Sequence, residues 1–217
     1  MSHWIVTGAS GSLATACIQE LLQKGKSVSA YSRNPLQYHD PRIISHQVDS
    51  YQRVNLNSSN SEGLLVAQGF FHYELFEHTS PQELTDLLDG NFLSQIQVVQ
   101  SFLQASDKSQ RIDIVILGST NAFEAGKGTV VYGTAKAAML AFVRAMNKEY
   151  NDTDIRFWFI SFGTLANAMG AKVPNQDPTS LLDVRLVAKE IVETVTNGSN
   201  MWQPEITIRR RHIKTVS

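Results

Sequence analysis

Short apolar runs alternate with longer stretches of helical period along the chain. The runs Trp4–Val6, Ser27–Tyr31, Ile43–Val48, Leu64–Ala67, Ile112–Leu117, Arg156–Ile160 and Glu205–Ile208 read as strands. Most are near-continuous apolar rather than alternating, as a sheet covered on both faces requires. Helical patterns lie between them. The first follows Gly11 and stops at Gly25. A second opens at Ser80-Pro81-Gln82-Glu83, a capping box with Pro at the first helical position, and runs to about Gln104. The others span about Val130–Tyr150 and Leu181–Thr196, the latter ending before Gly198. This alternation predicts an α/β fold: a doubly wound, seven-stranded parallel sheet with helices on both faces. The polar stretch Asn55–Ser61 predicts a loop between the third and fourth strands.

Composition narrows the class without changing the fold. A chain of 217 residues supports one good hydrophobic core and is short for two, so a single domain over residues 1–217 is expected. A formal net charge of -1 gives no global field to attract nucleic acid or an anionic membrane. The one basic cluster, Arg209-Arg210-Arg211 with Lys214, reads as a charged terminal or edge strand, since edges are commonly charged against stray pairing. Cys17 is the single cysteine, which excludes an internal disulfide and fits a reducing compartment. No apolar run reaches the roughly 20 residues of a membrane span, and no signal peptide is visible, so a cytoplasmic protein is expected. His72 and His78 have no metal-ligand spacing with a partner, and no metal site is expected.

The candidate chemistry lies at the strand ends. Directly after the first strand comes Thr7-Gly8-Ala9-Ser10-Gly11-Ser12-Leu13-Ala14. Such a turn lets backbone N–H groups approach a pyrophosphate at a helix N-terminus. Gly8 permits the tight turn, Gly11 the close approach, and Ala14 is an accepted replacement for a third glycine. An NAD site would want an acid at the end of the second strand for the ribose 2′-hydroxyl. Ser29-Ala30-Tyr31-Ser32-Arg33-Asn34 has none, and Arg33 suits a 2′-phosphate, so NADP(H) is expected over NAD(H). Further on, Tyr132 and Lys136 stand four residues apart, about one helical turn, which puts phenol and ammonium on one face. A nearby cation favours the phenolate and should bring Tyr132 down toward a working range. Ser119 follows the apolar run Ile114–Leu117 and Gly118.

With turn, Ser, Tyr and Lys in this order, the chain resembles the short-chain dehydrogenase/reductase family from Thr7 to about Ile208, and the resemblance implies a Rossmann-type fold. The family's glycine motif falls on Gly8, Gly11 and Ala14, with Ser10 and Leu13 in the same turn. Its adenine-contacting acid falls on Asp49, and its catalytic set on Asn91, Ser119, Tyr132 and Lys136. Ala67, Gly69, Gly163 and Asn167 complete the implied cofactor contacts. Departures are visible: Val66-Ala67-Gln68-Gly69 where the family has Asn-Asn-Ala-Gly, Phe162-Gly163 where it has Pro-Gly, and Asn167 for its carboxamide-binding Thr. The gap from Asp49 to Leu64 is too short for the family's usual helix, so a single turn or open loop should leave one sheet face thinly covered.

The resemblance implies hydride transfer between a nicotinamide and a carbonyl or secondary alcohol. Tyr132 would exchange the proton and Ser119 would hold the substrate oxygen. Lys136 would lower the Tyr132 pKa and bind the nicotinamide ribose, and Asn91 would hold a water in the proton path. The aromatic segment Phe70–Phe76 and Thr164–Val173 should border a small, mostly apolar substrate. A non-catalytic dinucleotide-binding redox sensor is the alternative on the same fold; it has no need of Tyr132 and Lys136 in register with Ser119. A sugar-nucleotide epimerase would need a larger C-terminal region. The helices Pro81–Gln104 and Val130–Tyr150 are the surfaces by which family members pair, so a homodimer or homotetramer is expected.

Overall fold

The continuous apolar runs become the strands of one parallel sheet. They are β1 (His3–Thr7), β2 (Ser27–Ser32), β3 (Ile43–Gln47), β4 (Ser61–Val66), β5 (Ile112–Leu117), β6 (Ile155–Phe162) and β7 (Glu205–Ile208), in the order β3-β2-β1-β4-β5-β6-β7. The computed structural model describes residues 2–52, 54–197 and 202–210. Gly198, Arg211 and Lys214, named above, lie outside these residues. β7 is an edge strand followed directly by Arg209 and Arg210, which agrees with the reading of that cluster as a charged edge.

The helices are α1 (Ser12–Gln23), α2 (Pro81–Leu88), α3 (Ser94–Ala105), α4 (Val130–Glu149) and α5 (Val184–Thr196). α1 and α5 cover one sheet face, packing Leu13, Cys17, Ile18, Ile191 and Val192 against Trp4, Val6, Val115 and Trp158. α3 and α4 cover the other with Val99, Phe102, Met139 and Val143 against Ile5, Leu64, Ile114 and Phe157. Burying a side chain such as Phe102, which is 0% exposed, is worth about 1.5–3 kcal/mol. Among the described residues, no helix is long and apolar enough to cross a membrane.

β4 begins at Ser61, three residues before the expected Leu64, and two helices also differ from the sequence pattern. The last helix begins at Val184 because Asp183 caps it, accepting from Arg185 N at 2.7 Å and Leu186 N at 3.2 Å. Leu181 and Leu182 lie outside it, and Leu182 forms an extended bridge to Leu165. The long second helix is broken by a π turn over Asp89–Leu93, discussed below.

Among the described residues, no helix lies between β3 and β4. Instead, Tyr51, Val54 and Leu56 are buried against the second face. Ser101 fastens this segment to α3, its Oγ donating to Val54 O at 2.8 Å and accepting from Leu56 N at 3.4 Å. Ser58 Oγ donates to Phe102 O at 2.8 Å. The outer strands on this side remain thinly covered, with Ile44 56% exposed. There His3 bridges Ser27 Oγ (2.9 Å) and Ser29 Oγ (3.0 Å), and the His46 ring stacks on Tyr31 at 4.4 Å.

Burial holds both imidazoles below their ordinary 6.5, with His46 adding to the effect on His3. The folded chain therefore favours neutral rings, and the stability they confer is complete above about pH 6.5 and is lost as pH falls below it. The drop in Tm on acidification from about pH 7.5 to 5.5 should be shallower in a His3→Gln/His46→Gln variant than in the wild type. Parallel curves for the two proteins would overturn this account.

Candidate active site

The strand order reverses at β1: β2 and β3 lie to one side, and β4 returns to the other. A crevice opens at such a point, outside the carboxyl ends of the strands. Gly8 follows β1 there with a φ of +68°, and a Cβ on Gly8 would stand 2.4 Å from Gln68 N. Only glycine allows the turn to approach the end of β4 this closely. Gly11 is the N-cap of α1, and no side chain caps that helix. By contrast, Ser80 caps α2 and Asp183 caps α5. The first N–H groups of α1 are thus left for something other than the protein.

The crevice forms a cavity of about 440 Å³ lined by Ser10, Gly11, Leu13, Ala67, Tyr132 and Lys136, among others. It meets a second cavity of about 390 Å³ at Gln68, Gly69 and Phe70, which border both. Arg33 and Asp49, both exposed, line the second cavity, with Asp86 and Asp89 on its far wall. Ser10 Oγ accepts from Asn34 Nδ2 at 3.5 Å beside the end of β2. Two paired cavities, an uncapped helix start and a glycine cradle fit a dinucleotide. Buried Gln68 Nε2 and Gln95 Oε1 in the wall between them have no hydrogen-bond partner.

Ser119 follows β5 and caps the short turn Thr120–Ala122, accepting from Asn121 N at 3.2 Å. It also lies beside Tyr132, whose ionised form it favours. Tyr132 lies in the first turn of α4, with its ring edge against Phe71 at 5.2 Å. One turn on, Lys136 Nζ donates to Leu117 O at 3.2 Å and lies 5.7 Å from the Tyr132 ring centroid. The fold therefore brings Ser119, Tyr132 and Lys136 together.

The electrostatics correct one expectation. Tyr132 is pushed up to about 12 by burial, only partly opposed by Ser119. Lys136 is pushed down to about 8 by burial. Lys136 faces the ring and is tied to Leu117 O, so desolvation outweighs its attraction for a phenolate.

Asn91 sits inside the π turn and is 0% exposed. Its Nδ2 donates to Phe70 O (2.9 Å) and Leu87 O (3.1 Å), and its Oδ1 accepts from Phe70 N (3.3 Å). The amide is thus engaged in pinning the Phe70 backbone. Gly90 beside it has no room for a Cβ, which would stand 2.7 Å from the Phe70 ring. Gln95, which no motif marked, donates to Gln68 O at 2.7 Å and holds the other half of the same loop. Gly163 donates to Ile208 O at 3.2 Å. The Asn167 side chain ties two elements, donating to Ser12 Oγ at 3.0 Å and accepting from Gly170 N at 2.8 Å. Its amide thus bridges α1 and the loop after β6.

A third cavity of about 350 Å³ opens on the other side of Tyr132. Ser119 and Tyr132 form its floor, and Phe71, Tyr73, Phe162 and Leu165 are among its apolar walls. Asn121, Lys127 and Gln176, missed in the sequence, add polar groups. Phe70 lines the crevice instead, and Phe76 is 60% exposed.

A model of the short chain dehydrogenase family matches residues 2–178. The chain belongs to that family. This short-chain dehydrogenase is 26% identical over 223 residues to an uncharacterized oxidoreductase of Staphylococcus epidermidis, covering 94% of this chain and 95% of that one. Its fold matches a short-chain dehydrogenase/reductase of Vibrio parahaemolyticus with a TM-score of 0.82 at 18% identity, covering 96% of this chain and 100% of that one. It also matches an alcohol dehydrogenase of Thermococcus sibiricus solved with 5-hydroxy-NADP, with a TM-score of 0.83 at 17% identity, covering 98% and 99%. A short chain dehydrogenase of Burkholderia cenocepacia in complex with NADP gives 0.82 at 21% identity, covering 96% and 88%. The family makes this chain an NAD(P)-type oxidoreductase.

Asn91→Ala in this short-chain dehydrogenase should leave both backbone groups of Phe70 without partners and cost about 2 kcal/mol of stability by urea unfolding. A loss below about 0.5 kcal/mol would show that the Phe70 loop does not depend on the amide.

Proposed function

We propose that this dehydrogenase is an NADP(H)-dependent oxidoreductase acting on the carbonyl or secondary alcohol of a small, mostly apolar compound. One observation carries the reading: Tyr132, with Ser119 beside it, borders both the crevice and the apolar side cavity. A substrate oxygen on that side and a nicotinamide on the other would meet across one phenol. The bound dinucleotide supplies the hydride chemistry. Gly8, Ser10, Gly11 and Leu13 would hold its pyrophosphate, Arg33 a 2′-phosphate, and Asp49, Ala67 and Gly69 its adenosine. Gly163 and Asn167 would border the nicotinamide, and Lys136 with Tyr132 its ribose. Support for NADP(H) comes from the β2 end, where Ser32, Arg33 and Asn34 offer donors and no acid, and from the NADP-type ligands of two solved relatives.

The protonation states favour a defined division of work. With a pKa of about 12, Tyr132 stands protonated at neutral pH, the state that gives a proton to a carbonyl oxygen. Ser119 donates to the same oxygen as negative charge develops. Lys136, at about 8, is mostly cationic at neutral pH and supports the phenolate left behind. Asn91 acts at one remove by fixing the loop that separates the two cavities.

We further infer pairing of copies through the α3–α4 face, where Leu93 is 44% exposed beside Ile96, Phe142 and Met146. The free, buried thiol of Cys17 suits a cytoplasmic setting.

Reduction of a ketone and aldehyde panel with NADPH tests the reading. Tyr132→Phe should lower kcat/KM by at least about 100-fold, and turnover surviving it would sink the mechanism. NADPH binding without turnover on the panel would favour the sensor alternative. In the wild type, kcat/KM for reduction should fall above about pH 8 as Lys136 loses its charge, and a profile flat through pH 9 would remove Lys136 from the reaction. Arg33→Ala should weaken NADPH binding more than NADH binding.

A further inference from the structure

The notch between the glycine turn and the end of β2 is closed by a phenol. Tyr51 Oη accepts from Gly8 N at 2.9 Å and donates to Tyr31 O at 3.1 Å. Ala9 N donates to the same Tyr31 carbonyl at 3.0 Å. Ser32 and Arg33 lie within electrostatic reach of the same phenol oxygen. One oxygen atom therefore ties the first glycine of the turn to Tyr31, two residues before Arg33. The ring beneath it is 7% exposed, buried in the same cluster as Tyr31, Leu56 and Val66, and it borders the cavity lined by Arg33 and Asp49.

The position follows from the missing helix. After Asp49 the chain turns inward instead of winding outward, and α3 anchors it through Val54, Leu56 and Ser58. Tyr51 is thereby held from below, and its hydroxyl cannot leave without breaking its bond to the half-buried Gly8 N–H. We propose that the Tyr51 hydroxyl is a specificity-determining positioning group for the dinucleotide, holding Arg33 in register with the glycine turn so that a 2′-phosphate is preferred to a 2′-hydroxyl. This inference rests on the cofactor reading given above. A guanidinium fork gains its advantage over a point charge from orientation, so a loosened β2 end should harm phosphate recognition first. A bare ribose hydroxyl, which presents no charge to that fork, should be affected little.

Tyr51→Phe removes the oxygen and keeps the ring. Direct titration with NADPH and with NADH should show the NADPH Kd raised about tenfold and the NADH Kd raised less than about twofold. The kcat at saturating NADPH should stay within about twofold of the wild type, since the catalytic end is untouched. In an Arg33→Ala background, Tyr51→Phe should add nothing to the NADPH Kd, because the hydroxyl acts through Arg33. Ser32→Ala, which removes the hydroxyl that accepts from Asn34 N at 3.0 Å at the same strand end, should move the NADPH:NADH ratio in the same direction by a smaller factor. It serves as the readout should Tyr51→Phe unfold. Equal weakening of both dinucleotides, no weakening, or an undiminished effect in the Arg33→Ala background would overturn the inference. A wild type that binds neither dinucleotide, or prefers NADH, would overturn the cofactor reading beneath it and is seen before any variant is made.

Discussion

Gly8 has no room for a side chain, and the rest of the site is arranged around that closeness. Its Cα lies against the Ala67–Gln68 backbone, so the turn after β1 and the end of β4 form one surface. From there the contacts run on without a gap. Thr7 Oγ1 meets Gln68 Oε1 at 2.5 Å, and Gln95 Nε2 holds Gln68 O. Asn91 holds both backbone groups of Phe70, and Phe71 packs its ring on Tyr132. A side chain at position 8 would push β4's end away and carry that displacement toward the phenol. The π turn belongs to this chain of contacts. A regular helix would place one residue fewer between Leu87 and Ser94, and Asn91 would not face Phe70 in the same way.

Burial decides the chemistry of the pair at the other end. The same desolvation raises Tyr132 and lowers Lys136, moving both toward their neutral forms. At neutral pH the phenol keeps its proton, while the amine, less shifted relative to ambient pH, keeps most of its charge. The site is therefore poised to donate a proton, with a cation nearby to meet the resulting phenolate. The spacing of Tyr132 and Lys136 in the sequence contains the first half of that argument but not the second, because burial is a property of the packed site.

The strands were legible because a buried parallel strand needs little more than apolar continuity, and the glycine turn, Ser119, Tyr132 and Lys136 were legible because their chemistry restricts residue type. What escaped depended on partners far along the chain. Asp-Gly-Asn at 89–91 sits in an unbroken helical period, and only the Phe70 ring over Gly90 explains the widened turn. Tyr51 meets Gly8 across 43 residues and Tyr31 across 20, with no motif to mark either meeting. Asn167 could be read as a carboxamide binder by its functional groups, yet its amide bridges Ser12 and Gly170. Asp183 as the start of α5 was the exception that local pattern could have supplied, since an acid followed by an apolar helical run is an N-cap signal.

The missing helix between β3 and β4 is written into β2 more plainly than into the gap itself. β2 alternates: Val28 and Ala30 face α1, while Ser27, Ser29 and Tyr31 face the uncovered side. β3 follows suit, with Ile43 packed inward and Ile44 and His46 on the open face. Alternation is the pattern of a half-covered strand, so the sheet carries serines and histidines where a helix would have demanded aliphatics. This polar face also explains how Tyr51 can enter from below. An intervening helix would occupy that space, and the phenol oxygen would have no route to Gly8. The shortened connection and the tyrosine knot at the glycine turn are thus one structural feature, with the loss of cover as its condition.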